Sequence, residues 1–159
     1  MNRSINKGVI ISCQPANWKE PFYDYDFIKR MVQAAEYGGA VAVRIEGASN
    51  TKQLISDGIS MPIIGLIKRF KSRQNIDRIF ITPTIREVTE LYESGTRIIA
   101  ADFTAREGRD KNYYRLFIRE IMNTFKDVEI FADVSTIDEA IFAQDLGVSY
   151  ISSTLTGYT

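Results

Sequence analysis

Six short apolar runs, with five helical stretches between them, restrict this chain to an alternating strand-and-helix architecture. The runs are Val9 to Cys13, Val41 to Ile45, Ile63 to Ile67, Ile98 to Ala101, Glu129 to Ala132 and Ser149 to Ser152. They are near-continuous rather than alternating, as expected of strands covered on both faces. Helical patterns lie between them, near Asp26 to Tyr37, Thr51 to Asp57, Ile85 to Ser94, Asn112 to Phe125 and Ile137 to Leu146. The junctions echo one another: Glu36-Tyr37-Gly38-Gly39-Ala40-Val41, Glu93-Ser94-Gly95-Thr96-Arg97-Ile98 and Asp145-Leu146-Gly147-Val148-Ser149-Tyr150 each read helix end, glycine, strand. A β-then-α unit repeated in this way predicts a parallel sheet with right-handed crossovers. At 159 residues the chain reads as one α/β domain, spanning 1–159.

Local chemistry supports the helix boundaries. Thr84-Ile85-Arg86-Glu87 and Thr136-Ile137-Asp138-Glu139 are capping boxes, in which hydroxyl and carboxylate satisfy orphan backbone donors reciprocally. Gly38, Gly58, Gly95 and Gly147 are expected to take the left-handed conformation that stops a helix. Two architectures fit the alternation, an open doubly wound sheet and a (β/α)₈ barrel. No Gly-x-Gly-x-x-Gly follows the first strand, which removes the best sign of a dinucleotide fold. The stretch from Phe70 to Phe80 reads as a long charged connection after the third strand, on the side where barrels place function.

Charge and composition exclude several partner classes. Twenty basic and 20 acidic side chains give a net charge of +0, so neither nucleic acid nor an anionic membrane is an expected partner. Without a run of eighteen apolar residues or a secretory leader, the expected location is cytoplasmic. The single Cys13 sits in a strand, where it reads as a small buried hydrophobe rather than a nucleophile. No Cys/His cluster exists to hold zinc, and Asp102 with Asp133 on separate strands is poor support for magnesium, so no metal is expected.

The chemistry is carried by the residue at the carboxyl end of each strand: Gln14, Arg44, Lys68, Asp102, Asp133 and the pair Ser153-Thr154. Any one of these could be a strand simply reaching the surface. Arg44 could pair with Glu46 or a helix carboxylate, and Asp102 and Asp133 could cap the helices that follow. Arg106, Arg109 and Lys111 read as a solvated charged loop. The joint pattern is more specific, because barrel active sites are built at that edge with each strand contributing a group. Lys68 stands out. The chain has no histidine, so the usual general base near neutral pH is missing. A partly desolvated lysine is the natural substitute. Strand alternation places Lys68 on the face of Ile64 and Leu66 and turns Arg69 the other way.

At these residues the chain resembles the bacterial N-acylmannosamine-6-phosphate 2-epimerases, the NanE family. The matching stretches are Ile11 to Gln14, Ala42 to Ile45, Ile64 to Arg69, Ile81 to Thr84, Ala101 to Thr104, Ala132 to Thr136 and Ser153 to Thr159, in order along essentially the whole chain. The resemblance implies a (β/α)₈ barrel and a cofactor-independent isomerase. It implies interconversion of the 6-phosphates of N-acetylmannosamine and N-acetylglucosamine during sialic acid breakdown. By the same resemblance Lys68 is the base at C2, Arg44 and Asp133 are sugar contacts, and Gln14 belongs to the pocket. Asp102, Ser153 and Thr154 remain pocket candidates without an assigned role.

Against that pattern the chain is short. A barrel of this kind takes about 250 residues, whereas here Thr159 follows the sixth strand. In the family the seventh strand carries a glutamate that works with the lysine, and the loops after strands seven and eight hold phosphate. The expectation is therefore an incomplete barrel of about six βα units, lacking the C-terminal quarter. Open edges on the first and sixth strands would need covering, by a homo-oligomer or a complementing chain. A non-catalytic phosphosugar-binding or assembly module of the same fold is the alternative. Another phosphosugar barrel isomerase would share the architecture but not the Gly65-to-Arg69 motif.

Overall fold

Each of the six apolar runs forms a strand, in the order the alternation predicts. The computed structural model describes residues 5–14, 24–70, 79–106 and 108–158. Its elements run β1 (Ile10–Ser12), α1 (Tyr25–Tyr37), β2 (Ala42–Glu46), α2 (Ala48–Ser56), β3 (Ile63–Leu66), β4 (Lys68–Phe70), β5 (Ile79–Ile81), α3 (Ile85–Glu93), β6 (Ile98–Asp102), α4 (Lys111–Thr124), β7 (Glu129–Asp133), α5 (Ile137–Asp145) and β8 (Tyr150–Ser152). One parallel sheet takes the order β1-β2-β3-β6-β7-β8, while β4 and β5 form a separate antiparallel pair. Among the described residues no helix is long and apolar enough to cross a membrane.

The sheet is buried on both sides, which is why its strands read as continuous apolar runs. Val43 and Ile45 pack outward with Ile28, Val32 and Leu54 of the first two helices. Ile99, Ala101, Ile130 and Ala132 pack outward with Leu91, Phe117 and Ile121. The alternate residues Ala42, Ile64, Leu66, Ile98, Ala100 and Phe131 form a second, inner cluster with Leu155. Side chains two apart share a face. The inner face therefore continues upward from Ala42 to Arg44, from Ala100 to Asp102 and from Phe131 to Asp133.

That inner face is concave. Following the backbone register, Arg44 pairs with Ile64, Ile64 with Ile98, and Ile98 with Glu129. In a flat sheet three strand spacings would separate Arg44 from β7 by about 14 Å. Instead its guanidinium meets Asp133 directly, at 2.8 and 2.7 Å. Asp133 lies four residues beyond Glu129 on β7. A rise of roughly one residue per strand is the stagger of a tilted eight-stranded barrel wall, so the six strands form a curled part of such a wall.

Two local expectations need correction. Gly38 is right-handed, at φ −76°, and the left-handed position after α1 is Gly39, at φ 79°. The helix runs one residue further before the chain reverses. The apolar run ending at Lys68 is also not one strand. β3 stops at Leu66, and Lys68 opens β4, whose register pairs Lys68 with Ile81 and Phe70 with Ile79. Residues 71–78 of the expected charged connection lie outside the described residues. The capping boxes form as expected: the Thr84 and Thr136 backbone N–H groups donate to Glu87 (3.1 Å) and Glu139 (3.0 Å).

Candidate active site

The carboxyl ends of β2, β6 and β7 bring three charged side chains of the inner face to one rim. Asp133 is fully buried and Arg44 nearly so. Besides the two guanidinium bonds, Asp133 accepts a hydrogen bond from the Thr154 hydroxyl at 2.5 Å. The Arg44 guanidinium also lies 5.0 Å from the centroid of the Phe131 ring, which stacks on Tyr150. An arginine fork on a carboxylate fixes orientation as well as charge. Arg44 thus pairs with neither Glu46 nor a helix carboxylate, and Asp133 caps no helix. Ser153 is exposed, and its carbonyl accepts the Thr156 N–H in the following turn.

Asp102 stands beside Asp133 in register, and it too is buried. Two adjacent carboxylates repel, and each is neutralised from its own side. Asp102 accepts from the backbone N–H and the hydroxyl of Thr104, at 2.9 and 2.6 Å, and from the guanidinium of Arg106. The Thr104 carbonyl in turn accepts from the Tyr114 hydroxyl at 2.8 Å. Burial, and then the nearby Asp102 charge, push the Tyr114 phenol well above its ordinary range, so it stays a donor. Arg106 is therefore not the solvated residue expected of its loop. Its guanidinium and that of Arg109 lie 4.6 and 4.4 Å from the Phe80 ring centroid. The sequence signal available for Arg106 was its place four residues after a buried aspartate.

Lys68 is half-buried at the head of β4. Its neighbours are tightly held. The Thr82 N–H donates to the Ile67 carbonyl at 2.7 Å, and the Ile67 N–H donates to the Thr82 hydroxyl at 3.1 Å. On the other side Arg69 reaches α3, with Nε donating to Glu87 at 2.9 Å and an ion pair to Glu90 at 3.6 Å. Burial would raise the Glu87 carboxyl, but hydrogen bonds from Thr84 and Arg69 outweigh it and hold it below its ordinary value. Since Arg69 faces the outer helix, alternation within β4 turns Lys68 toward the concave side.

Thr82, which sequence reasoning passed over, is fully buried at φ 44°. A β-branched residue in the left-handed region is a genuine outlier, at a cost of about 1–3 kcal/mol. Nothing in the local sequence Ile81-Thr82-Pro83 announces it.

Gln14 donates from Nε2 to the Ser12 hydroxyl at 2.8 Å, while its buried Oε1 has no hydrogen-bond partner among the described residues. Cys13 beside it is fully buried, and burial pushes its thiol up to about 11. It is no nucleophile at neutral pH. A cavity of about 530 Å³ opens at the opposite end of the sheet, beneath the starts of β3, β6 and β7 at Ile63, Ile98 and Glu129. Its charged groups are already engaged, Arg97 with Asp127 and Glu129 with the Tyr150 hydroxyl. That end of a barrel serves stability rather than chemistry, so the rim above is the better candidate despite the cavity's size.

Comparison with known proteins gives a consistent result. The profile of the family described as "NanE: Putative N-acetylmannosamine-6-phosphate epimerase" matches residues 28–159. A Borreliella afzelii protein named as a putative N-acetylmannosamine-6-phosphate 2-epimerase is 39% identical over 155 residues, covering 98% of this chain and 65% of its own length. A Staphylococcus haemolyticus protein of the same name is 41% identical over 155 residues, covering 96% of this chain and 66% of its own. The chain thus spans about two thirds of the length of these relatives. Among solved structures, the N-acetylmannosamine-6-phosphate 2-epimerase from Clostridium perfringens superposes with a TM-score of 0.77 at 34% identity, over 94% of this chain and 62% of that one. A type I 3-dehydroquinate dehydratase from Clostridium difficile gives a TM-score of 0.60 at 11% identity, a likeness of fold alone.

Proposed function

This chain belongs to the N-acetylmannosamine-6-phosphate epimerase family, and on that premise we propose that its rim performs the proton chemistry of a cofactor-independent 2-epimerase acting on phosphorylated N-acyl amino sugars in the cytoplasm. The observation that carries the reading is the Arg44–Asp133 pair set across the concave face at the same rim as Lys68.

The reaction follows from these groups. Opening the sugar ring exposes an aldehyde at C1, which acidifies the proton on C2. The Lys68 amine takes that proton, and the electron pair moves into the C1–C2 bond and onto the aldehyde oxygen as an enolate. Rotation of the enolate about its C2–C3 bond then presents the opposite face to the Lys68 ammonium, which returns a proton to C2 and re-forms the aldehyde with the centre inverted. No net proton is consumed, and general acid–base transfer of this kind supplies about 10²–10⁴-fold.

The developing oxyanion needs donors fixed in advance. A guanidinium carries five N–H donors, and Asp133 engages one on each terminal nitrogen of Arg44. The others are left to aim at substrate oxygens. Asp133 spends most of its acceptor capacity on Arg44 and Thr154. Its first role in this reading is to orient Arg44, with a sugar hydroxyl as a further partner. Gln14 offers a buried carbonyl oxygen for a substrate N–H or O–H.

The test is exchange at C2. With N-acetylglucosamine 6-phosphate in D₂O the chain should incorporate deuterium at C2, and Lys68→Met should abolish incorporation. Exchange that persists unchanged in Lys68→Met would remove Lys68 from the chemistry.

A further inference from the structure

We propose that Thr82 is a positioning residue for Lys68, its strained backbone and its hydroxyl together setting where the lysine amine stands. The inference deepens the functional reading above and rests on Lys68 being the base.

Lys68 lies on no strand of the parallel sheet. The regular ladder ends with β3 at Leu66, and Lys68 begins a short antiparallel pair instead. Something other than the main sheet must hold it. Thr82 does so from the position just after β5. Both backbone polar groups of Ile67, the residue before Lys68, are bonded to Thr82, the carbonyl by its N–H and the N–H by its hydroxyl.

This reciprocal clasp explains the conformation. With Thr82 at φ 44°, its N–H and its hydroxyl both reach Ile67. Glycine would adopt that φ without strain, but it has no hydroxyl to receive the Ile67 N–H. The strain is therefore tied to the side chain that makes the second bond.

The clasp has a counterpart on the other flank. Arg69 is tied to Glu87, whose carboxylate also accepts the Thr84 N–H at 3.1 Å. The segment Thr82-Pro83-Thr84 is itself anchored at its centre, where the Pro83 carbonyl accepts from the Tyr113 hydroxyl at 2.5 Å. Lys68 is thus bracketed by two residues fixed to one short segment, and its own side chain is the one that faces the rim. Misplacing a reacting group by about 1 Å can cost about 100-fold, so a bracket of this kind has a kinetic consequence out of proportion to its size.

Three variants separate positioning from folding. Thr82→Ser keeps the hydroxyl, Thr82→Val keeps the shape, and Thr82→Gly relieves the backbone. In the C2 exchange assay Thr82→Ser should stay within about threefold of the unsubstituted chain, while Thr82→Val and Thr82→Gly should lose about tenfold or more in kcat, with KM little changed and the pH profile displaced. Thr82→Gly should nonetheless unfold cooperatively near the parent's urea midpoint, because relief of the left-handed strain offsets the loss of the Ile67 N–H bond and of the buried side chain. Wild-type kcat and pH profile in folded Thr82→Gly would overturn the proposal.

A second measurement reads the amine without turnover. Trace acetylation, followed by mass spectrometry of the Lys68 peptide against that of the exposed Lys52, should change about threefold or more in Thr82→Gly and stay at the parent ratio in Thr82→Ser. An unchanged ratio in Thr82→Gly counts against positioning. If instead Lys68→Met leaves exchange intact, the assignment of the base fails, and the labelling ratio still decides whether Thr82 holds the amine.

Discussion

Replacing Arg44 with methionine tests how β2 and β7 are held together across the concave face of the sheet. The side chain of Asp133 is 0% exposed and that of Arg44 is 9% exposed, so both charges are out of water. Two hydrogen bonds to charged groups at about 1.5–3 kcal/mol each would contribute about 3–6 kcal/mol. Breaking one partner of a buried pair costs about 3–5 kcal/mol, because the other charge is left stranded. Thr154 alone would then remain on Asp133. We expect Arg44→Met to lose about 3–5 kcal/mol, with a urea midpoint lower by about 2 M for m near 2 kcal/mol/M. Because the penalty is the stranded carboxylate, Arg44→Met combined with Asp133→Leu should recover at least half of the loss. Urea unfolding followed by far-ultraviolet circular dichroism measures all four corners of this cycle. A midpoint shift below about 0.5 M in Arg44→Met would refute the reasoning, since it would place the pair among solvated surface bridges at about 0–1 kcal/mol. Strict additivity in the double variant would refute it equally.

Gly65 lies in β3 with its Cα hydrogen facing α3, and a Cβ built there would meet Thr96 Cγ2 at 2.9 Å and Leu91 Cδ2 at 3.0 Å. Overpacking at about 1–3 kcal/mol exceeds the roughly 0.5–1 kcal/mol that alanine gains over glycine in a strand. Gly65→Ala should therefore destabilise in the same urea assay, and a neutral or stabilising result would show that the neighbours yield freely. Glu87 supplies a pH test. Its folded carboxyl lies below the ordinary 4.5, so its contribution is fully present above pH 4.5 and is lost as pH falls through the folded value. The stability gap between the parent chain and Glu87→Gln should thus narrow on acidification below pH 4.5, and a gap that is constant or widens there would contradict the assignment.

Legibility differed with distance along the chain. The strands and helices could be read locally, since a doubly covered strand must be apolar throughout and an amphipathic helix must repeat every three to four residues. The capping boxes at Thr84 and Thr136 needed only four consecutive residues. Arg44, Asp102 and Asp133 could be marked as candidates because charge at the end of an apolar run has no packing rationale. Their partners could not. Arg44 and Asp133 are 89 residues apart, and a surface strand end, a cap and a buried ion pair look alike until the sheet curls. Arg106 was misread as solvated because its loop is rich in charge, and only the folded geometry sets it against buried Asp102.

Six strands alternating with five helices, their parallel order and the rim on which polar groups gather were all legible in short windows, because they follow from hydrophobic period and turn chemistry. The folded chain alone shows that the third apolar run breaks after Leu66, that Lys68 belongs to a separate antiparallel pair, and that a strained Thr82 holds its neighbour. The difference is one of cooperativity. A residue accepts a left-handed backbone or a buried charge only when partners distant in sequence repay the cost, and no local window contains those partners.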